Sequence, residues 1–362
     1  MKITTSASDL QNLLKTVGKA LENRPITTWM KFILLEAEDD LLRATATNGM
    51  YTISNSCSCQ VKEAGEAMLD GKLLCQLVDK LPAGDVTIEV AEKGATIRYG
   101  KSKTKIEISE ETFKKPPKGE PTTTVKIDAS DLRNLISTVR YAVSVTEDNR
   151  ASINGILLSF ANDTLRTVAT DSFRLAAKKC ECEVDNPQDI IIPGKAVGQL
   201  LDVLSAKNEE VELRTDGKWM ELENGSIYFR TTLLAGKFIP YQNLIPKEFE
   251  TKIVVSVNDL KLALERTMLV GEGSSAVKLN VGSDGMDIRA LSAVSNCLEH
   301  IDCDVCGNEQ EASFNGKYIL AALNAMNSDA VWLKMPNAVR PTVMVPESCP
   351  DELHMVIPVR TY

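Results

Sequence analysis

Cys297, His300, Cys303 and Cys306 follow one another at three-residue intervals and carry the donor types of a zinc or iron-sulfur centre, thiolate and imidazole. The residues around them read as a strand, however. On a strand Cys297 and Cys303 point one way and His300 and Cys306 the other, so the four do not converge on one ion. Cys57 and Cys59 recur as Cys180 and Cys182 at matching positions of an internal repeat, which marks them as small strand residues rather than ligands. No metal is expected. The two histidines, His300 and His354, lie in no nucleophile or metal-base motif, so a Ser-His-Asp or Cys-His arrangement has little to work with. The pairs Gly71-Lys72, Gly194-Lys195 and Gly316-Lys317 lack the upstream glycine of a phosphate loop, and the run from Gly271 to Ser275 has no lysine. The expectation is a protein without catalytic chemistry and without a cofactor.

What remains is charge. The net charge of −9 argues against bulk electrostatic grip on nucleic acid, so the placement of the cations decides. Lys15, Lys19, Lys72, Lys80, Arg133, Arg140, Lys195, Lys207, Lys261, Arg266 and Lys317 all fall on the polar faces of segments with helical periodicity. Those segments carry about +5 between them in an otherwise acidic chain. Basic helix faces can line a hole through which a polyanion passes, while an acidic exterior repels stray nucleic acid. There is no concentrated Arg-rich recognition helix with Asn or Gln for base edges, so contact with double-stranded DNA is expected to be weak, sequence-independent and salt-sensitive.

The elements that position these side chains repeat three times. The runs beginning Ile3, Ile127 and Val255 align, making Asp9, Asp131 and Asp259 equivalent, and the Gly-Lys pairs recur about 120 residues apart before LLCQLVDKL, AVGQLLDVL and YILAALNAM. Leu42–Asn48 matches Leu165–Asp171. Leu10, Leu13, Leu14 and Val17 predict a helix with Ser8 as its N-cap; Leu73, Leu74, Leu77, Val78 and Leu81 predict a second. Alternating runs such as Thr87–Val90, Ala95–Tyr99 and Lys105–Ile108 predict antiparallel strands. Each unit is thus α+β, two helices on a sheet. The Pro- and Lys-rich stretch Lys114–Pro121 marks a linker, and the repeat sets the second break near Pro246. The predicted domains are 1–121, 122–248 and 249–362.

A chain of 362 residues, 43% apolar and 25% charged, can bury a core in each unit. Its start, MKITTSASDLQNLLK, has no apolar export segment, and no run is long enough to span a bilayer, so a cytoplasmic protein with nine reduced cysteines is expected. Trp29, Trp219 and Trp332 read as core or strand residues rather than base-stacking platforms.

Ala169–Ala176, Ile191–Lys195, the stretch ending Leu244-Ile245-Pro246, Phe314–Tyr318 and Val356–Tyr362 resemble the beta subunits of bacterial DNA polymerase III, the beta sliding clamps, and the resemblance spans the chain. It implies a non-catalytic processivity factor: a head-to-tail homodimer of repeated clamp domains forming a ring, with helices lining a hole that encircles duplex DNA. Its seam would join the strand of Ile106 and Ile108 to Leu269 and Val270. The implied partners are the polymerase III catalytic subunit, the clamp loader and other proteins bearing a short hydrophobic motif. Their pocket would comprise Ile153, Thr170, Ser172, Phe173, Arg174, Leu175, Leu244, Asn315, Tyr318, Val339, Pro341, Met355, Val356, Ile357, Pro358, Val359 and Arg360, apolar walls suited to Leu and Phe anchors. Arg24 matches a position that reaches the duplex. Phe173 and Ile239 stand where the family has His and Pro, and Glu147 where it often has a neutral residue; these departures raise the alternative of a non-replicative scaffold that binds partner peptides.

Overall fold

A computed structural model describes residues 1–92, 94–117, 119–146, 150, 153–161, 163–204, 209–270, 276–291 and 296–359. Among them are six α-helices, α1 (Ala7–Val17), α2 (Gly71–Asp79), α3 (Ala129–Val139), α4 (Gly194–Val203), α5 (Val257–Val270) and α6 (Gly316–Ala325), with antiparallel strands between and after each pair. None is long and apolar enough to cross a membrane.

The helices form for the periodic reason expected: Leu10, Leu13, Leu14 and Val17 of α1 are all buried. Its N-cap is Ser6 rather than Ser8. The Ser6 Oγ accepts the Asp9 N–H at 3.0 Å, while Ser8 already lies within the first turn. In α2 the stripe is narrower than the spacing suggests. Leu74 and Val78, four residues apart on one face, are buried, but Leu73, about 100° round the helix, is 50% exposed.

Two compact units emerge, one of Met1–Ser130 with Ala196–Leu233, the other of Asp131–Lys195 with Leu234–Tyr362. They cut through the middle repeat because strand pairing ignores the linkers. In the first unit Ile227–Thr232 of the second repeat pairs with Tyr51–Ser58 of the first. In the second unit Arg174–Glu181 pairs with Glu352–Val356, placing Arg174 opposite Val356 and Leu175 opposite Met355. That pairing completes a nine-stranded antiparallel sheet running from Gln188–Pro193 to Asp304–Gly307.

The first unit also holds a five-stranded sheet ending in Ser102–Ile106, and the second a four-stranded sheet ending in Asn296–Ile301. The third repeat's core packs α5 and α6 over the sheets through Leu260, Leu264, Ile319 and Leu323 against Phe314, Ile288 and Leu333. Trp219 and Trp332 fall in strands as predicted, whereas Trp29 sits half-buried on a short 3-10 turn. Trp29 meets Phe113 edge-on at 5.3 Å, Trp219 is buried beneath Arg230, and Trp332 lies within a strand.

Candidate functional site

The motif Thr170–Leu175 folds as a tight turn between strands, and its polar side chains build the turn. Asp171 Oδ1 accepts the N–H groups of Phe173 and Arg174 at 2.9 and 3.0 Å, and the buried Thr170 hydroxyl donates to the Arg174 carbonyl at 2.7 Å. Ser172 sits at φ +77°, in the left-handed region that a non-glycine residue adopts only when its surroundings hold it there. The turn turns Phe173 outward, 57% exposed, with its ring stacked on Tyr318 at 6.3 Å. Arg174 turns inward. Its Nε–H donates to Asp171 at 2.9 Å, and its guanidinium lies 4.6 Å from the Tyr318 ring centroid and 5.2 Å from that of Tyr141.

The C-terminal segment closes one side. Ile357 N–H donates to the Phe173 carbonyl at 2.9 Å, and Val359 N–H to the Ser313 carbonyl at 2.8 Å. These two bonds carry Val356–Val359 from the turn toward α6, whose cap, Asn315, accepts the Lys317 N–H at 3.1 Å. Beneath lies an apolar cluster in which Leu175 and Met355 join Leu157, Val343 and Tyr241. Ile239 packs against this cluster, half-buried.

Leu244 and Pro341 border a concavity of about 340 Å³ with Pro246 and Arg340. Leu244 and Val339 are 48% and 78% exposed, free to meet an apolar ligand. Ile153 is buried, and Pro341 and Pro358 are half-buried. Arg360, Glu147 and Lys207 lie outside the described residues.

The candidate DNA-facing cations divide in two, Arg24 among them lying in a loop rather than on a helix. Lys15, Arg24, Arg140 and Lys317 are exposed and make no ion pair among the described residues; Lys261 is half-buried and also makes none. Others are already engaged: Lys19 pairs with Asp202 at 2.9 Å, Lys80 with Asp79 at 2.8 Å, Lys72 donates to Asn23 at 2.7 Å, and Arg266 is gripped by Glu299. Arg133 is half-buried and Lys195 exposed.

At the expected seam, Leu269 and Val270 lie not on a strand but at the end of α5, Leu269 83% exposed and Val270 half-buried. Ile106, by contrast, is 3% exposed and packs into its own domain, and Ile108 falls past the strand, in an isolated bridge to Leu69.

The Cys297–Cys306 run is not one strand, as its alternation suggested. It breaks at Asp302 and Cys303 between Asn296–Ile301 and Asp304–Gly307, which belong to different sheets. No His, Cys, Asp and Glu group among the described residues could hold a metal. All nine cysteines are free thiols. Burial pushes Cys59 and Cys182 up to about 11 and Cys180 up to about 12, which keeps them protonated and unreactive at neutral pH.

Sequence reasoning missed the polar chain behind the turn. Tyr141 Oη and His354 Nδ1 are 2.9 Å apart, His354 Nε2 and Glu352 Oε1 2.8 Å, and Glu352 Oε2 and Lys178 Nζ 2.8 Å. His354 and Glu352 are wholly enclosed, and no local motif signals them.

Comparison with known proteins covers the whole chain. Residues 1–114, 126–240 and 242–360 match the N-terminal, central and C-terminal domains of the DNA polymerase III beta subunit. A beta sliding clamp of Staphylococcus epidermidis is 25% identical over 377 residues, covering all of both chains; one from Staphylococcus aureus is 26% identical over 318 residues, 86% of this chain and 84% of that one. The crystal structure of a DNA polymerase sliding clamp from Bacillus subtilis superposes with a TM-score of 0.95 at 26% identity over the full length of both chains. A DnaN sliding clamp from Pseudomonas aeruginosa bound to griselimycin gives 0.96 at 23%, again over both full lengths. With three consecutive domains matched and the fold shared from end to end, the chain belongs to the DNA polymerase III beta subunit family.

Proposed function

We propose that this protein is a DNA sliding clamp, a non-catalytic processivity factor that encircles duplex DNA and tethers DNA polymerase III to it. The observation that carries the reading is the end-to-end match, in all three clamp domains, to proteins named beta sliding clamps. Domains at 1–121, 122–248 and 249–362 would supply the six helices of one half-ring, and a second copy the rest.

The seam would join two sheet edges. Ser102–Ile106 and Asn296–Ile301 are each terminal in their sheets, so each offers unpaired backbone groups to a partner strand, and Leu269 and Leu298 offer exposed apolar area beside them. Because Ile106 is already buried, its share would be made by its backbone. Inside the ring, the unpaired Lys15, Arg24, Arg140 and Lys317 would supply a weak positive potential. A closed ring stays on DNA by topology, so weak contacts suffice and permit sliding.

The polymerase catalytic subunit, the clamp loader and other partners would dock a short hydrophobic segment against Leu175, Leu244, Tyr318 and Met355. Such work would take place in the cytoplasm, with the chromosome. No observation favours the non-replicative scaffold.

The reading is tested by loading the protein on nicked circular DNA and then cutting the circle. Release on linearisation is expected; equal retention before and after would refute topological tethering.

A further inference from the structure

The polar chain behind the Thr170–Leu175 turn joins three elements distant in sequence: the 3-10 turn Arg140–Ala142, the strand Arg174–Glu181 and the strand Glu352–Val356. Burial holds the Tyr141 hydroxyl well above its ordinary range, so it keeps its proton and shares a hydrogen bond with His354 Nδ1, while His354 Nε2–H faces the Glu352 carboxylate and donates to it. Glu352 in turn accepts from Lys178 Nζ.

Burying this charged chain gains little stability. An enclosed ion pair costs desolvation roughly equal to its attraction, and apolar side chains of the same volume would serve the core as well. What the chain does supply is geometry: held at both ring nitrogens, the imidazole has one orientation and thereby sets one position of the Tyr141 ring, whose plane lies 33° from that of His354 at 5.7 Å.

Arg174 lies against the same Tyr141 ring, its guanidinium 5.2 Å from the ring centroid. Its Nε is committed to Asp171, its face is held between Tyr141 and Tyr318, and its terminal nitrogens bond nothing among the described residues. Such a plate offers directed N–H donors to an arriving ligand at low entropic cost, provided both rings stay in place.

We propose that His354 is a positioning residue of the partner pocket: through Tyr141 it holds the Arg174 guanidinium flat, so that its free N–H groups meet main-chain carbonyls of the docked segment. The proposal rests on the pocket reading given above, and it assigns binding strength to a residue that never touches the peptide.

The test uses the full chain and a fluorescein-labelled pentapeptide ending in Leu-Phe, with affinity read by anisotropy well below the melting temperature. His354→Leu should weaken binding about tenfold and Tyr141→Phe several-fold, as for loss of a preorganised charged donor. His354→Gln, whose amide places a donor and an acceptor at the separation of the two ring nitrogens, should restore affinity to within about twofold of the native protein. A merely structural role would lower the melting temperature and leave these affinities alone.

Arg-selective 15N spectra supply a readout that needs no peptide. The Arg174 Nε–H signal should be sharp in the native protein and in His354→Gln, and broadened in His354→Leu. Native-like affinity in folded His354→Leu, or in Tyr141→Phe should the leucine variant fail to fold, overturns the proposal, as does an unaltered Arg174 signal. A native protein that binds no peptide sinks the pocket reading instead, and the Arg174 signal still decides the positioning claim.

Discussion

Arg266 on α5 and Glu299 on the edge strand Asn296–Ile301 form a two-pronged ion pair, Nε to Oε1 at 3.0 Å and Nη2 to Oε2 at 2.6 Å. The hydrogen bonds from Arg266 hold the Glu299 carboxyl below its ordinary range. Two of its N–H donors are occupied and the pair as a whole is neutral, so it offers little to a phosphate.

Arg266→Ala is therefore expected to leave DNA affinity and its salt dependence unchanged. Lys15→Ala, Arg140→Ala and Lys317→Ala should each lower the slope of log affinity against log salt by up to about 1. Anisotropy titrations on a short duplex at several salt concentrations check this, and a larger effect from Arg266 than from Lys15 would reverse the assignment.

Leu244 and Met355 separate binding from folding. Leu244 is 48% exposed, so Leu244→Ala should change stability by no more than about 0.5 kcal/mol while weakening a hydrophobic peptide clearly. Met355 is 3% exposed, and Met355→Ala should cost about 2–5 kcal/mol of stability through the cavity left, besides loss of the peptide. Denaturant melts paired with peptide titrations distinguish the two; full affinity in Leu244→Ala would remove that residue from the pocket.

Leu269, 83% exposed at the end of α5, should matter only between copies. Leu269→Asp is expected to leave the monomer folded and to shift native mass from about twice 39.6 kDa toward 39.6 kDa. Native mass spectrometry reads this directly, and an unaltered dimer would move the seam elsewhere.

Glu352 predicts a pH effect of definite sign. Its burial alone would raise its pKa, but hydrogen bonds from His354 and Lys178 outweigh that and hold it below the ordinary 4.5. A carboxylate depressed in the folded state stabilises fully above its unfolded value, and that contribution is lost as pH falls through the folded one. The native protein should lose stability below about pH 4.5 more steeply than Glu352→Gln. Equal acid limbs in urea melts would contradict the assignment.

The repeat, the α+β class and the buried faces of the helices were legible in the sequence, because the 3.6-residue period of Leu10, Leu13, Leu14 and Val17 and the recurring Gly-Lys pairs are local properties of the chain. The Thr170–Leu175 turn was not read from the sequence, although its signal is local: Asp171 binds the backbone two and three residues on. Cap choice between Ser6 and Ser8 and the break at Cys303 were not legible, since each depends on where a neighbouring strand ends, and the exposure of Leu73 was not, since it depends on how wide a face of α2 the core covers.

Only the tertiary structure decided which cations are free, since Lys19 and Asp202, or Arg266 and Glu299, are brought together by packing rather than by spacing. Only pairing of Arg174–Glu181 with Glu352–Val356 could set His354 behind Tyr141, a residue 213 positions away. Local periodicity fixes which face of an element is buried, and strand partnership, a long-range choice, fixes which side chains then meet.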